Sequence, residues 1–168
     1  MLFLFLFFTL SFASSISYMK SLFNSNDNNE IVQRIEKLST SSEAQWGKMN
    51  VGQMLAHCQE PIKVAFGESK PKRGLIGMLF GGIAKKQLIT NDQPFKRNLP
   101  TDKNFVIRDE RNFEEEKTKL VALIKRFAEK GPEAISKEIH PFFGKLTVHE
   151  WNKLMHKHLD HHLRQFGA

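Results

Sequence analysis

The chain has 168 residues, with 25 Lys and Arg against 18 Asp and Glu, a net charge of +7 and one cysteine. This length fits one domain with a sizeable core, and a single cysteine excludes an intramolecular disulfide scaffold. The positive charge permits weak contact with anionic surfaces. The sequence contains no RNP, zinc-finger or other recognised nucleic-acid motif, so no nucleic-acid partner is expected.

Residues 1–18 open with an apolar run, MLFLFLFFTLSFA. The run has the length of a secretory h-region, but no Lys or Arg precedes it, and it is too short for a confident transmembrane helix. We favour Met19 as the true start, which predicts a cytoplasmic protein. The alternative is export or membrane anchoring through residues 1–18. The predicted domain organisation is therefore a hydrophobic leader over 1–18 and a globular domain over 19–168.

Polar capping residues mark the start of the first two predicted helices. The cluster Asn26–Asn28 predicts the N-cap of the first helix, which continues in an apolar stripe. Asn50 and Gln53 have the spacing of a capping box and predict the start of the second helix. Gly67 is placed to close that helix. Pro61 lies inside it and predicts a kink or a break into two pieces.

Residues 68–108 form a long connection that is rich in glycine and proline. Its centre, GLIGMLFGGIAKK at 74–86, predicts a short helix, and its glycines match no P-loop or Rossmann fingerprint. A connection of this length is unusual unless it is functional. Two interpretations stay open, a lid or substrate wall over a pocket and a packed crossover connection.

The third predicted helix runs from about Arg111 to Lys130, and Gly131 with Pro132 stops it. The sequence HPFFG at 140–144 then predicts a plug that packs on the end of the helices. No run of alternating strand residues is present. With the last helix, the pattern predicts an all-α four-helix bundle with a long crossover connection between helices 2 and 3.

The last predicted helix holds five of the seven histidines between Thr147 and Phe166. Thr147 and Glu150 form a capping box, and Gly167 closes the helix. The pair His158 and His162 falls in or beside its apolar face. Imidazoles four residues apart can point at one ion, although such histidines are more often satisfied core residues or partners of the helix dipole.

The remaining histidines are candidates of different quality. His161 lies at the edge of the apolar face and competes with His162 as partner of His158, whereas His156 points away. A third ligand from another element would be His57, on the second helix, or His140, from a loop. Periodicity alone does not select His57, which lies at the flank of the apolar stripe of its helix.

The segment MNVGQMLAHC around His57, followed by HPFFGKLTVHEW and HKHLDHHLRQFG, resembles the DinB/YfiT-like superfamily of metalloenzymes, and more narrowly an uncharacterised branch of unknown function. The specific element is one histidine on the second helix with H-x3-H-x2-Q on the last. The resemblance implies a DinB-like four-helix bundle in which His57, His158 and His162 hold a divalent metal, most often zinc or nickel and less often iron or manganese. Gln165 is then placed to orient a ligand.

The resemblance also implies a function. Relatives include thiol S-transferases and hydrolases, so we expect a metal-dependent enzyme with a small-molecule substrate such as a low-molecular-weight thiol. No catalytic residue is assigned. Glu60, one turn after His57, is the best available carboxylate for a general base, although a solvated or capping role is the more common one for such a residue. The alternative is a non-catalytic metal-binding or interaction bundle. A third class, a surface-bound membrane or nucleic-acid protein, rests on charge alone. A homodimer is compatible with the sequence.

Overall fold

The computed structural model of the protein describes residues 19–137 and 139–168, so the predictions for residues 1–18 lie outside the described residues. Within the described ranges the chain is all-α, as predicted, and its β-pairing is one isolated bridge between His140 and Gly144. The helices there are α1 Ser25–Glu36, α2 Val51–Ala65, α3 Leu75–Lys85, α4 Phe113–Lys130 and α5 Val148–Gln165. A π-helical turn at Lys86–Thr90 and 3₁₀ turns at Lys103–Phe105 and Gly131–Ala134 lie between them.

Reciprocal capping boxes start α2 and α5, as the sequence predicts. The Asn50 side chain accepts the N–H of Gln53 at 2.8 Å, and the Gln53 side chain accepts the N–H of Asn50 at 3.1 Å. Thr147 and Glu150 make the same exchange at 3.2 and 2.8 Å. Each box satisfies two N–H groups that a helix start would otherwise leave without partners. Gly167 follows α5 with a φ of 75°, the left-handed conformation that favours glycine.

Helix α1 begins earlier than the sequence predicts, and Asn26–Asn28 do not cap it. Asn24 is the N-cap and accepts the backbone N–H groups of Asn26 and Asp27. Asn28 is instead buried inside the first turn, where its amide donates to the carbonyls of Leu22 and Ile124. Every asparagine in this run is a good capping residue, so local preference could not choose among them.

Helix α2 continues through Pro61, so the predicted break into two pieces is wrong. The helix is continuous from Val51 to Ala65, and Pro61 is buried within it. Proline removes one backbone donor and crowds the preceding turn, but the buried face of α2 holds the helix on its neighbours. Gly67, with a φ of 75°, follows the end of the helix as predicted.

The long helices pack as a helical bundle. Both α1 and α2 contact α4 and α5. The core between them is apolar and is sealed from water, which is the main source of stability for such a chain. Its fully buried larger side chains include Ile31, Ile35, Leu55, Ile62, Leu120, Ile124, Phe127, Trp151, Met155 and Leu159.

The connection between α2 and α4 is anchored on α5 by lysines. Lys153 donates to the carbonyl of Thr90 at 2.9 Å, and Lys157 donates to the carbonyls of Leu88 and Asn91. Ile89 is fully buried between these anchors. This part of the predicted crossover is therefore packed on the bundle, while the side chains of α3 face solvent.

The sequence HPFFG forms a tight turn that rests on the bundle. The Nδ1 atom of His140 accepts the N–H groups of Phe142 and Phe143 at 3.1 and 3.2 Å. The His140 ring packs 5.3 Å from the ring of Trp151. Burial lowers the pKa of His140 to about 3, so the ring stays neutral and can accept these two bonds.

We predict that His140 makes the protein less stable in acid. Its folded pKa lies below the unfolded value of about 6.5, so its contribution is fully present above pH 6.5 and falls as the pH drops towards 3. His140→Asn keeps an acceptor near the Nδ1 position but cannot titrate. We measure the free energy of unfolding in urea with a chelator present. Below pH 6, this free energy should fall with decreasing pH more steeply in the wild type than in the variant, by up to about 1.4 kcal/mol per pH unit.

Lost packing in the variant changes stability by an amount that does not depend on pH, so the slopes isolate the titration of His140. The other buried histidines are present in both proteins and cancel in the comparison. Equal pH slopes for the wild type and His140→Asn would contradict the assignment of a neutral, depressed His140.

Candidate metal centre

Three histidine side chains converge where α2 faces α5. His57 lies in the middle of α2, and His158 and His162 lie one turn apart on α5. The ring centroid of His57 lies 4.9 Å from that of His158 and 4.7 Å from that of His162, and the centroids of His158 and His162 are 4.7 Å apart. One ring nitrogen from each residue lies within 4.8 Å of the other two. The three histidines are therefore close enough to hold one metal ion.

A backbone carbonyl orients His57. Its Nδ1 lies 2.8 Å from the carbonyl oxygen of Phe105, and because a carbonyl can only accept, Nδ1 carries the hydrogen. Nε2 consequently keeps its lone pair and faces α5, at 3.0 Å from Nε2 of His158. His57 is 2% exposed. The second helix thus presents one neutral imidazole with a fixed donor atom, the arrangement usual for metal-binding histidines.

A glutamine amide orients His162 in the same way. Gln165 accepts a hydrogen bond from Nδ1 of His162 at 2.7 Å, which leaves Nε2 of that ring with its lone pair. The amide nitrogen of Gln165 donates to the carbonyl of Trp46, so the amide oxygen is the atom that faces His162. Gly47 gives the amide its room, since a Cβ there would lie 2.5 Å from the amide nitrogen.

His158 completes the cluster and carries an unsatisfied atom. Its Nδ1 is buried and has no hydrogen-bond partner among the described residues. Its Nε2 faces the lone pair of His57 at 3.0 Å, and two lone pairs repel unless a hydrogen or a cation lies between them. Nitrogen ligands of a tetrahedral zinc stand about 3.4 Å apart, given Zn–N bonds of about 2.1 Å. The donor set therefore fits a divalent ion after small ring movements.

Burial keeps the three imidazoles neutral. Burial is the main cause that lowers the pKa of each ring, to about 3 for His162 and well below the ordinary value for His158. The neighbouring rings lower the pKa of these two further, because a second positive charge in the cluster would repel the first. The bond to Phe105 and the charge of Glu60 oppose the effect of burial at His57. Neutral imidazole is the form that binds metal.

His161 and His156 lie outside this cluster. The His161 ring stacks edge-on against Trp46 at 5.6 Å and lies 6.0 Å from the ring of Phe95. Among the described residues, the group within ligand distance contains His162 and neither of these two histidines. His161 instead lines a neighbouring cavity. Of the two interpretations left open by periodicity, the geometry groups His162 with His57.

Glu60 does not take part in this hydrogen-bond network. Its carboxylate lies 2.8 Å from the ammonium group of Lys63. It also lines a separate cavity of about 510 Å³ on another side of α2, together with Arg111 and Lys119. The candidate general base taken from the sequence is therefore a paired surface carboxylate.

A cavity of about 400 Å³ with aromatic and basic walls is lined by His161, whose ring centroid lies 5.1 Å from that of His162. The guanidinium group of Arg97 lies 4.3 Å from the ring centroid of Trp46, and Arg164 contributes a second positive charge. This volume is within the range of small-molecule sites. The lining residues come from the loop before α2, the connection and the end of α5, and they are Gln45, Trp46, Pro94, Phe95, Arg97, His161, Arg164, Gly167 and Ala168.

Sequence reasoning missed three contributors to this region, namely Phe105, Trp46 and Arg97. Phe105 acts through its backbone carbonyl, and every residue has one, so no side-chain pattern marks it. Trp46 and Arg97 belong to irregular segments on either side of α2 and meet only in the folded chain. The one local signal is WGKMN, in which a half-buried tryptophan and a glycine stand a few residues before the capping Asn50.

Comparison with known proteins gives one family. Residues 19–168 match the family described as Protein of unknown function (DUF1569). No curated protein matches the chain, and no solved structure matches it. The match spans every described residue and includes His57, His158, His162 and Gln165. The chain therefore belongs to the DUF1569 family.

Proposed function

We propose that the protein is a metal-dependent enzyme of the DinB/YfiT-like type, in which His57, His158 and His162 hold a divalent ion. The observation that carries the proposal is the convergence of three neutral imidazoles, two of them with the Nδ1 atom engaged and Nε2 turned inwards. Within this proposal α1, α2, α4 and α5 are the four-helix bundle, and the segment with α3 is its long crossover between the second and third bundle helices.

Zinc or nickel suits three imidazole ligands best, and iron or manganese is less favoured. A divalent ion with three neutral ligands keeps its charge and an open position, and supplies a Lewis acid that lowers the pKa of a bound water or thiol. The chain itself supplies orientation. Phe105 and Gln165 hold two of the rings in place, with the Nε2 atom of each ring free of its hydrogen.

The cavity beside His161 supports a small anionic substrate. Arg97 and Arg164 attract carboxylate or phosphate groups, and the faces of Trp46 and Phe95 provide apolar contact. A low-molecular-weight thiol that carries a carboxylate would offer a thiol group to the metal ion and a negative charge to the two arginines. The reaction is then a thiol S-transfer to an electrophile, or a hydrolysis. A non-catalytic metal-binding bundle is the competing outcome, and removal of the metal separates the two.

Metal analysis of protein purified without a histidine tag tests the ligand set. We expect about one equivalent of zinc or nickel per chain, and loss of that metal in His57→Ala, His158→Ala and His162→Ala, because two imidazoles bind much more weakly than three. His156→Ala and His161→Ala are matched controls on α5 and should keep the metal. Equal losses at His161 and His162 would show that the wrong face of α5 was assigned.

Gln165→Leu should weaken metal binding by about 10- to 100-fold, because the Nδ1 hydrogen of His162 loses its acceptor and the ring its orientation. Competition with a chromogenic chelator measures the Kd. Gln59→Leu is the matched control, since Gln59 is 1% exposed and Gln165 3%, but the amide of Gln59 hydrogen-bonds Leu55 and Glu116 rather than a histidine. The proposed role of Gln165 fails if both variants shift the Kd equally.

Removal of the metal distinguishes an enzyme from a scaffold. The bundle has a continuous apolar core, so the chelated protein should keep its helical circular dichroism and a cooperative melt. Added metal should raise the Tm only by mass action, in proportion to ln(1 + [L]/Kd). The reconstituted protein should also regain binding of a carboxylate-bearing thiol. A chelated sample that loses its helicity would instead indicate a structural metal, as in small zinc domains.

A further inference from the structure

Helix α3 carries an apolar surface that no part of the described chain covers. Its six large hydrophobic side chains are between 51% and 74% exposed. We call them the α3 face, and they are Leu75, Ile76, Met78, Leu79, Phe80 and Ile83. The buried positions of the helix are the glycines Gly77 and Gly81. The helix therefore rests on the protein through its backbone and turns its large side chains to the outside.

The glycines fix which side of α3 faces outwards. A Cβ at Gly81 would lie 2.0 Å from the carbonyl oxygen of Phe142, and one at Gly77 would lie 2.8 Å from that of Pro141. Both ends of the helix are also tied down. Arg73 donates to the carbonyl of Gly77 at 2.8 Å, and Lys85 at the other end forms an ion pair with a glutamate of α5. The exposed face is thus held in position by the fold.

The size of the face is unusual for a chain in water. The largest apolar patch on a monomeric protein is typically about 300–600 Å² and is often functional. The α3 face is a patch of this kind, because it joins six large side chains that are each more than half exposed. Scattered surface hydrophobic residues are common, but these six are contiguous on one helix. Such a patch marks a docking surface.

The chain segment that carries the face is positively charged, and one of its lysines, Lys85, is paired with Glu150 of α5. Residues 69–91 contain five basic residues and no Asp or Glu. Lys70, Lys72 and Arg73 precede the helix, and Lys85 and Lys86 end it. A short helix with an apolar face and basic flanks has the pattern of an interfacial membrane helix, whose apolar side enters the boundary between lipid headgroups and acyl chains. Anionic headgroups then meet the basic flanks.

We propose that the α3 face binds the surface of an anionic lipid bilayer and that the protein is a peripheral membrane protein. A second copy of the chain is the rival occupant. In a twofold contact between two α3 helices, parallel or antiparallel, the basic flanks of one copy would lie beside those of the other, and like charges would repel. A lipid surface complements the same charge. None of the helices in the described ranges is long and apolar enough to span a bilayer.

This site shares no residue with the histidine cluster, and the proposal does not depend on metal binding. A single helix of 11 residues gives reversible attachment, because stable anchoring needs a second signal. Binding should therefore depend on the anionic lipid and on salt, since the electrostatic part is screened within about 10 Å at moderate ionic strength.

Co-sedimentation with vesicles tests the proposal. The full chain, and the same chain begun at Met19, are mixed with phosphatidylcholine vesicles with and without about a quarter of phosphatidylglycerol. The second chain separates binding by α3 from binding by the apolar stretch 1–18. We expect both chains to prefer the anionic vesicles. In the chain begun at Met19, the double variant Ile76→Ser, Leu79→Ser should bind these vesicles at least about tenfold more weakly, because two large apolar side chains no longer leave water on binding.

Matched variants identify the cause of any loss. Val106→Ser alters an apolar residue that is 42% exposed outside α3, and should leave binding unchanged. Lys72→Ser with Lys86→Ser should remove the preference for anionic vesicles. Circular dichroism and melting of the α3 double variant should match the wild type, because the altered side chains make no core contact. Leu79→Trp adds a fluorophore whose emission should shift to the blue on binding.

Two results would overturn the proposal. The first is that the chain begun at Met19 binds anionic vesicles no better than the α3 double variant does. The second is that sedimentation shows a dimer which the double variant dissociates, while neither protein binds vesicles. That second result would assign the face to another copy of the chain.

Discussion

The enclosure of three neutral imidazole rings between α2 and α5, two buried and one half-buried, is the constraint on which the rest of the structure depends. Each imidazole has two nitrogens, and a buried nitrogen without a partner costs about 1–3 kcal/mol. The chain resolves this with two oxygens, the carbonyl of Phe105 and the amide of Gln165, which take the Nδ1 hydrogens of two rings. The first oxygen belongs to the 3₁₀ turn Lys103–Phe105, and the second belongs to the last residue of α5, whose amide nitrogen is held by the carbonyl of Trp46 in the loop before α2. The segments around α2 must therefore fold in a defined way before the cluster can be neutral and ordered.

Hydrogen bonds and an ion pair hold the loop before α2 and the end of α5 in place. The N–H of Gln45 donates to the carbonyl of Gln165 at 2.8 Å, which ties the loop before α2 to the end of α5. Arg34 of α1 pairs with Asp160 at 2.9 Å and also bonds the carbonyl of Ala168. The turn of α5 that carries His158 and His162 is thus held from two sides. A donor set fixed in this way loses little freedom when it binds an ion, which favours tight binding.

Local signals explain which parts of the structure could be predicted from the sequence. Both capping boxes follow from side chains that bond their own helix start, and the pairing of His158 with His162 follows from the helical repeat. The choice of Asn24 over Asn28 needed tertiary contacts, because Asn28 is drawn inwards to two carbonyls. His57 lies at the edge of its stripe but becomes buried, since a histidine can be enclosed once a carbonyl satisfies it. That carbonyl has no signature in the sequence.

The exposure of the large side chains of α3 could not be predicted from their composition, because apolar residues are ordinarily buried. Two glycines reverse that expectation by bringing the backbone against Pro141 and Phe142, so that the large side chains point outwards. The same turn holds His140 under Trp151 of α5, and α3 adds no residue to the lining of the cavity beside His161. Attachment through α3 would therefore engage none of that lining. The membrane face and the metal cluster rest on separate residues, so each proposal can stand without the other.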